Sequence, residues 1–195
     1  MSGQTFQPRP NLYAVDGDGF IVLTPDEATR YYTGKSSIPS FVGGFSINSS
    51  FKNFDLSALF NFSFGSYIYD SVYARLMNGF ETAGRQGHPD LEKRWQNPGD
   101  LTDVPLFLNG QNDFNSESTR FLFKNDYIRL RGLNIGYNLS QNLIGKLNLV
   151  KFRIFFQGDN IFTYQSHRGI DPEQALSGLT DNRSHQMKTF ALGIN

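Results

Sequence analysis

The chain has 195 residues, of which 38% are hydrophobic, with 19 Phe, nine Tyr, one Trp and no Cys, and its 18 basic and 18 acidic residues cancel. That balance provides no broad attraction to nucleic acid, and the missing thiols exclude disulfide staples and Cys-ligated metals. No run of about 18 apolar residues occurs, which excludes a transmembrane helix but not a barrel, because alternating strands average to low hydropathy.

In chain order, residues 1–39 read as an irregular loop. Met1–Pro10 carries neither the basic nor the apolar part of a secretory signal, so an exported protein of this sequence is expected to be a fragment of a longer precursor. Asp16-Gly17-Asp18-Gly19 resembles the centre of a calcium loop. In the EF-hand register, however, Ala14 and Pro25 would take the first and twelfth positions and neither supplies a ligand, so Asp16 and Asp18 stand as a weak calcium candidate beside an ordinary Asp/Gly turn.

Residues 40–65 read as a strand hairpin, with strands at 40–50 and 54–65 joined by Lys52-Asn53. Beyond it, Ile68, Val72, Leu76 and Phe80 fall four apart and predict a short helix over Tyr67–Phe80. The helix opens a long loop, 66–125, whose later part is rich in Pro, Gly, Asn and Asp. Residues 126–162 form a second hairpin, with strands at 126–139 and 149–162. A loop follows at 163–187 and a last strand at 188–195.

The strands share one pattern. Leu56, Ala58, Phe60, Phe62 and Phe64 alternate with Asp55, Ser57, Asn61 and Ser63; Phe152, Ile154 and Phe156 alternate with Lys151, Arg153 and Gln157; Phe190, Leu192 and Ile194 alternate with small or polar residues. Period 2 places each apolar set on one face. Either those faces pack into a soluble β-sandwich, or they meet lipid while the polar faces line a wet lumen. On the second reading Phe60, Phe62, Phe64, Phe152, Ile154, Phe156, Phe190 and Leu192 face lipid, and Lys151, Arg153 and Asp159 face the lumen. Links that alternate short and long occur in membrane barrels with short periplasmic turns and less regularly in soluble sandwiches, so the pattern alone leaves both readings open. One strand resists the pattern: Tyr127, Arg129 and Arg131 share parity with Leu133, Ile135 and Tyr137. A bulge near Gly132 would flip the phase, or the strand would extend beyond lipid there, and extension is the expectation.

Four motifs in order carry a family resemblance. Arg94-Trp95-Gln96-Asn97-Pro98-Gly99-Asp100-Leu101-Thr102-Asp103-Val104-Pro105 resembles the RW-x-x-PGD-x-TD-x-P segment of SusC/RagA-type TonB-linked outer-membrane transporters. Residues 126–139, DYIRLRGLNIGYNL, are similar to that family's YLRLKNLTLGY strand; residues 152–162 fit its R-x-x-x-x-G-x-N-L-F strand; Gly169-Ile170-Asp171-Pro172-Glu173 fits its G-x-DPE loop. Upstream, Ile38-Pro39, Gly43, Gly44 and Phe54-Asp55-Leu56 also fit.

The resemblance implies an all-β, antiparallel fold: the C-terminal segment of a large transmembrane β-barrel, incomplete on its own, with long extracellular loops and one short helix. Barrels of that class have about 22 strands and a plugged lumen, so some five strands need the remainder of the barrel and plug to close. The function implied is part of a TonB-dependent importer of oligosaccharides or peptides, acting with a SusD-like surface lipoprotein and reaching TonB through an N-terminal part this chain lacks. The place implied is the outer membrane of a Gram-negative, Bacteroidetes-like bacterium, with the loops at 66–125, 163–187 and 1–39 outside the cell. No cofactor, enzyme activity or nucleic-acid partner is implied. One departure is the ending Leu192-Gly193-Ile194-Asn195, which lacks the terminal aromatic usual in such barrels.

Candidate contact residues are few. Arg94 beside Trp95 suits a sugar or peptide, though an anchor that folds the loop is the plainer reading. Asp171 and Glu173 flank Pro172 as a conceivable carboxylate pair, though loop carboxylates of this kind are expected to be solvated or to cap a turn. His88, His167 and His185 lack metal-ligand spacing, and no G-x-S-x-G elbow is present. The alternative to a transporter segment is a soluble β-sandwich glycan-binding module.

Overall fold

A computed structural model describes residues 14–15, 21–22, 32–78, 84, 86–106, 117–145, 149–174, 176–180 and 184–195. Asp16 and Asp18, and with them the calcium candidate, lie outside the described residues. Two compact units emerge: residues 1–34 with 70–121, and residues 35–69 with 122–195.

The first unit contains the short antiparallel pair β1 (Ala14–Val15) and β2 (Ile21–Val22) and the helix α1 (Ser71–Leu76). Helix α1 begins at Ser71 because the Asp70 carboxylate accepts the Tyr73 N–H at 2.8 Å. The expected helix over Tyr67–Phe80 is therefore corrected: Tyr67–Tyr69 is a strand, and Phe80 lies outside the described residues. A 3-10 turn over Pro89–Lys93 is capped by the His88 ring. Around these, Ala74, Met77, Leu91, Val104 and Phe121 are buried. Tyr73 stands edge-on to His88 and Phe121 and donates to Asp90 at 2.9 Å; burial first, then the Asp90 carboxylate, pushes its phenol up to about 12.

The second unit is built on one antiparallel sheet in the order β3 (Phe41–Phe51), β4 (Phe54–Phe64), β7 (Tyr127–Asn138), β8 (Arg153–Gln165), β9 (Thr189–Ile194). Beside it β5 (Tyr67–Tyr69) pairs with β6 (Leu122–Lys124). The β3–β4 turn is Lys52-Asn53, with Lys52 at φ 53°, the left-handed conformation that two-residue hairpins demand. A second short helix, α2 (Gln141–Ile144), sits between β7 and β8.

Register aligns the aromatic sets strand by strand: Phe45 with Phe60, Phe54 with Tyr137, Leu56 with Ile135, Phe156 with both Ile135 and Leu192. Partners across a ladder share a face, so one face is apolar across all five strands. The misfit strand is resolved by a bulge, not by extension. Phe60 pairs with Leu130 but Leu59 with Gly132, which leaves Arg131 as the extra residue. Tyr127 and Arg129 thereby join Asn134, Gly136 and Asn138 on the polar face, while Ile128 and Leu130 join Leu133, Ile135 and Tyr137. A strand that merely continued outward would have left the two arginines in phase with leucines; the extra residue removes that conflict.

Two boundaries also differ from expectation. Strand β8 starts four residues later and ends three residues later than read from the sequence, so Lys151 and Phe152 precede it and hold no register position. The Phe152 carbonyl instead accepts the Leu139 N–H at 2.9 Å.

Ile68, Ile144 and Ile170 are buried outside the five-stranded sheet, but around the sheet itself burial is largely inverted relative to a water-soluble core. Arg129, Asp171, Ser63, Ser66 and Thr180 are buried, whereas Phe41, Phe51, Phe190 and Leu192 are 71%, 70%, 61% and 77% exposed. Leaving one such side chain in water forgoes about 1.5–3 kcal/mol, so a face this broad calls for a cover of lipid or of further protein. Among the described residues no helix is long and apolar enough to cross a membrane.

Candidate functional site: the polar face and its docked loop

The polar face carries two charged clusters, one toward each end of β7. At the β3–β4 turn end, Asp55 on β4 reaches Arg153 on β8 across the intervening strand. Arg153 Nε and Nη2 donate to the two Asp55 oxygens at 3.1 and 2.5 Å, Nη2 also meets Asn134 Oδ1 at 2.9 Å, and Asn138 Nδ2 donates to Asp55 Oδ1 at 3.2 Å. The bridge passes over Gly136, where a Cβ would lie 2.5 Å from Asp55 Oδ2 and collide with the Arg153 guanidinium. Glycine at 136 is what lets non-adjacent strands be clamped. Asp159, on the same face of β8, pairs in register with Gly132 at the bulge.

At the opposite end, β7 presents Arg129, 2% exposed. Its Nη2 donates to both oxygens of Asp171 at 3.1 and 2.9 Å, its Nε to Thr163 Oγ1 at 3.0 Å, and its Nη1 lies 3.2 Å from Glu173 Oε2. Glu173 also receives Arg131 Nη1 at 3.1 Å and Asn61 Nδ2 at 2.8 Å. Asp171 accepts the backbone N–H groups of Glu173 and Gln186 at 2.9 and 3.0 Å. Burial pushes the Asp171 carboxyl up, but those two amides and the Arg129 guanidinium outweigh it and hold the group below the usual carboxylate range.

Of the expectation that Asp171 and Glu173 are solvated or cap a turn, Asp171 does cap, accepting the Glu173 N–H, and solvation is what the structure corrects. Asp171 is 4% exposed and both carboxylates are bound to strand arginines. The loop is shaped to deliver them: Gln165 Nε2 donates to the carbonyls of His167 and Ile170 at 2.7 and 2.9 Å, the His167 ring stacks on Phe123 at 4.0 Å, and Asn125 Nδ2 donates to the Pro172 carbonyl at 2.9 Å. Two clefts of about 220 Å³ flank this loop, one lined by Ser63, Tyr67, Asn125 and Gln174, the other by Arg129, Asn160, His185 and Lys188.

Arg94 and Trp95 belong to the other unit and are half-buried. Their motif folds on itself. The Asp100 carboxylate accepts the N–H groups of Asn97 and Gln96 at 2.8 and 3.0 Å, which hold it below the usual range; the Trp95 N–H donates to the Val104 carbonyl at 2.9 Å; the Thr102 hydroxyl donates to the Lys93 carbonyl. Gly99, at φ 102°, makes the turn that brings Asp100 back. Residues the sequence reading did not single out as a site are Arg129, Asp55, Asn61 and Gln186. Arg129 did give a signal, as a charge on the wrong parity; the other three did not.

The inverted burial, the continuous apolar face and the charged opposite face define a section of a large membrane-barrel wall. Comparison with known proteins names the kind. No protein-family profile matches the chain. It is 28% identical to "TonB-dependent receptor P3" of Formosa agariphila, across 100% of this chain and 19% of that protein. To "TonB-dependent receptor SusC" of Bacteroides thetaiotaomicron it is 26% identical across 84% of this chain and 16% of that protein. In structure it superposes on a chain of the RagAB peptide importer, in its "closed-closed" state, with TM-score 0.68 and 28% identity, covering 93% of this chain and 20% of that one. The chain is thus similar to TonB-dependent receptors of the SusC and RagA kind and spans about a fifth of the length of the proteins it matches.

Proposed function

We propose that this chain forms part of the barrel wall of a TonB-dependent outer-membrane importer of oligosaccharides or peptides, working with a SusD-like surface lipoprotein. The observation that carries the reading is the single apolar face maintained by register through β3, β4, β7, β8 and β9, opposite a face of buried ion pairs. Phe60, Phe62, Phe64, Ile154, Phe156, Phe190 and Leu192 meet lipid on this reading, and Arg153 and Asp159 the water-filled side. The open edges of β3 and β9 pair with further strands, because an unpaired edge is not tolerated in hydrocarbon. The protein does no covalent chemistry; its task is to hold a path and a surface for partners. Trp95 and Arg94 remain the contact candidates, on a loop held rigid by Asp100 and Thr102.

The soluble β-sandwich alternative needs a second layer on the apolar face, and the exposure of Phe190 and Leu192 runs against it. The test is direct. A receptor gene carrying this segment is deleted and complemented with the wild-type gene or with a copy whose Leu192 and Phe156 are both Lys. Wild type restores growth on an oligosaccharide or peptide source and fractionates with outer membrane, whereas the double variant fails to assemble. Normal assembly of the double variant would defeat the lipid-facing assignment, because a Lys at the bilayer midplane costs about 2–4 kcal/mol.

A further inference from the structure

The geometry points to residues 166–174, 176–180 and 184–186, which follow β8, being a locked buttress on the polar face of the sheet, with Arg129 as its keystone, and not a lid that swings. We infer this from three sets of anchors spread along the loop. Near its root, Asp171 takes a two-pronged ion pair from a strand arginine that is itself 2% exposed, and Glu173 takes Arg131 and Asn61. Farther on, Ser37 Oγ donates to the Leu176 carbonyl at 2.6 Å, the Tyr69 N–H to the Gly178 carbonyl at 2.8 Å and the Thr180 N–H to the Tyr69 carbonyl at 3.2 Å. On its return, the Gln186 N–H donates to Asp171 at 3.0 Å. The loop is stitched to β4, β5, β7 and the segment before β3.

Arg129 makes the lock hard to open. With the loop lifted, Arg129 would exchange its two-pronged pair with Asp171 and its contact with Glu173 for water, and breaking a buried, hydrogen-bonded pair is among the most costly local events in a protein. A swinging lid would be expected to sit over solvated groups that lose little on opening. The bulge at Arg131 belongs to the same device, since it turns Arg129 toward the loop and leaves Arg131 free to reach Glu173. The carboxylates at 171 and 173 are consequently spent on the wall and do not serve cargo.

This inference uses the importer reading only to say what the buttressed face lines; the lock itself is a property of the fold. The experiment is amide hydrogen exchange on the full-length receptor in lipid, following the Glu173 and Gln186 amides that donate to Asp171. Both are expected to exchange on the order of 10²–10³-fold more slowly than a free loop. Asp171→Asn is expected to speed them at least ten-fold while β4 amides keep their rates. Wild-type amides at 173 and 186 exchanging at free-loop rates, or a folded Asp171→Asn receptor exchanging as wild type does, would overturn the lock. If Asp171→Asn does not assemble, the wild-type rates decide, together with Ser37→Ala, which should loosen residues 176–180 alone and must not speed 173 and 186. A protected loop in a receptor that imports nothing would defeat the transport reading and leave the lock standing.

Discussion

The two charged clusters on the polar face use the same chemistry in opposite ways. Arg153–Asp55 ties β4 to β8 over Gly136, with side chains 20% and 36% exposed; Arg129–Asp171 ties a loop to β7, with side chains 2% and 6% exposed. Water supports each partner of the first pair if the other is lost. In the second, Asp171 would keep the Glu173 and Gln186 amides and Arg129 would keep Thr163, but neither group would keep a full counter-charge at two-pronged distance, so a pair that adds little net stability still costs much to break. The difference teaches that the fold depends on the arginine cluster which locks a loop more than on the one which clamps strands.

Four measurements sharpen or break that contrast, in order of expected size. Arg129→Ala should be the most damaging, about 3–5 kcal/mol in denaturant unfolding of the lipid-reconstituted receptor, because Asp171 is left buried and charged; a loss under about 1 kcal/mol would mean water reaches the site. Gly136→Val should follow, about 1–3 kcal/mol, since its side chain displaces the Arg153–Asp55 bridge from above β7. Combining it with Asp55→Asn should show less than additive loss if the bridge is what the valine disturbs.

Acid comes third. Asp171 is held below the range of an unfolded carboxylate, near about 3.9, so its contribution is fully present above that value and declines as pH falls through the lower folded value. Protection of the Glu173 and Gln186 amides, taken as the rate relative to an unprotected amide at the same pH, should be constant from pH 7 to about 4 and fall below; a fall beginning near pH 6 would contradict the depressed carboxyl. Smallest is Asp55→Asn alone. It should move unfolding little and its effect should shrink with added salt, and a salt-independent loss as large as that of Arg129→Ala would erase the comparison.

Much of the sheet could be read in the residues. Strict alternation at Leu56–Phe64 and Phe190–Ile194 assigned faces that the register maintains, and the Lys52-Asn53 turn was visible because a two-residue polar link between alternating runs has few other uses. The helix was over-read, because four-residue spacing continued through Tyr67–Tyr69, residues whose hydrogen bonds belong to β6. The start of β8 was read too early for a similar reason: Lys151 and Phe152 keep the alternation but have no ladder partners. At the site, Arg129 advertised itself as a charge in an apolar phase, yet its partner lies 42 residues away and nothing local identifies Asp171 over any other loop carboxylate.

By itself the sequence determined that this protein is a set of two-faced antiparallel strands with long alternate loops, because period-2 patterning is local and a single slip would turn every side chain over. Only the tertiary structure decided which phase β7 keeps beyond its bulge, and that the DPE loop folds back onto Arg129. Both outcomes depend on satisfying a charge that cannot be left bare, and that requirement is met by residues distant in the chain.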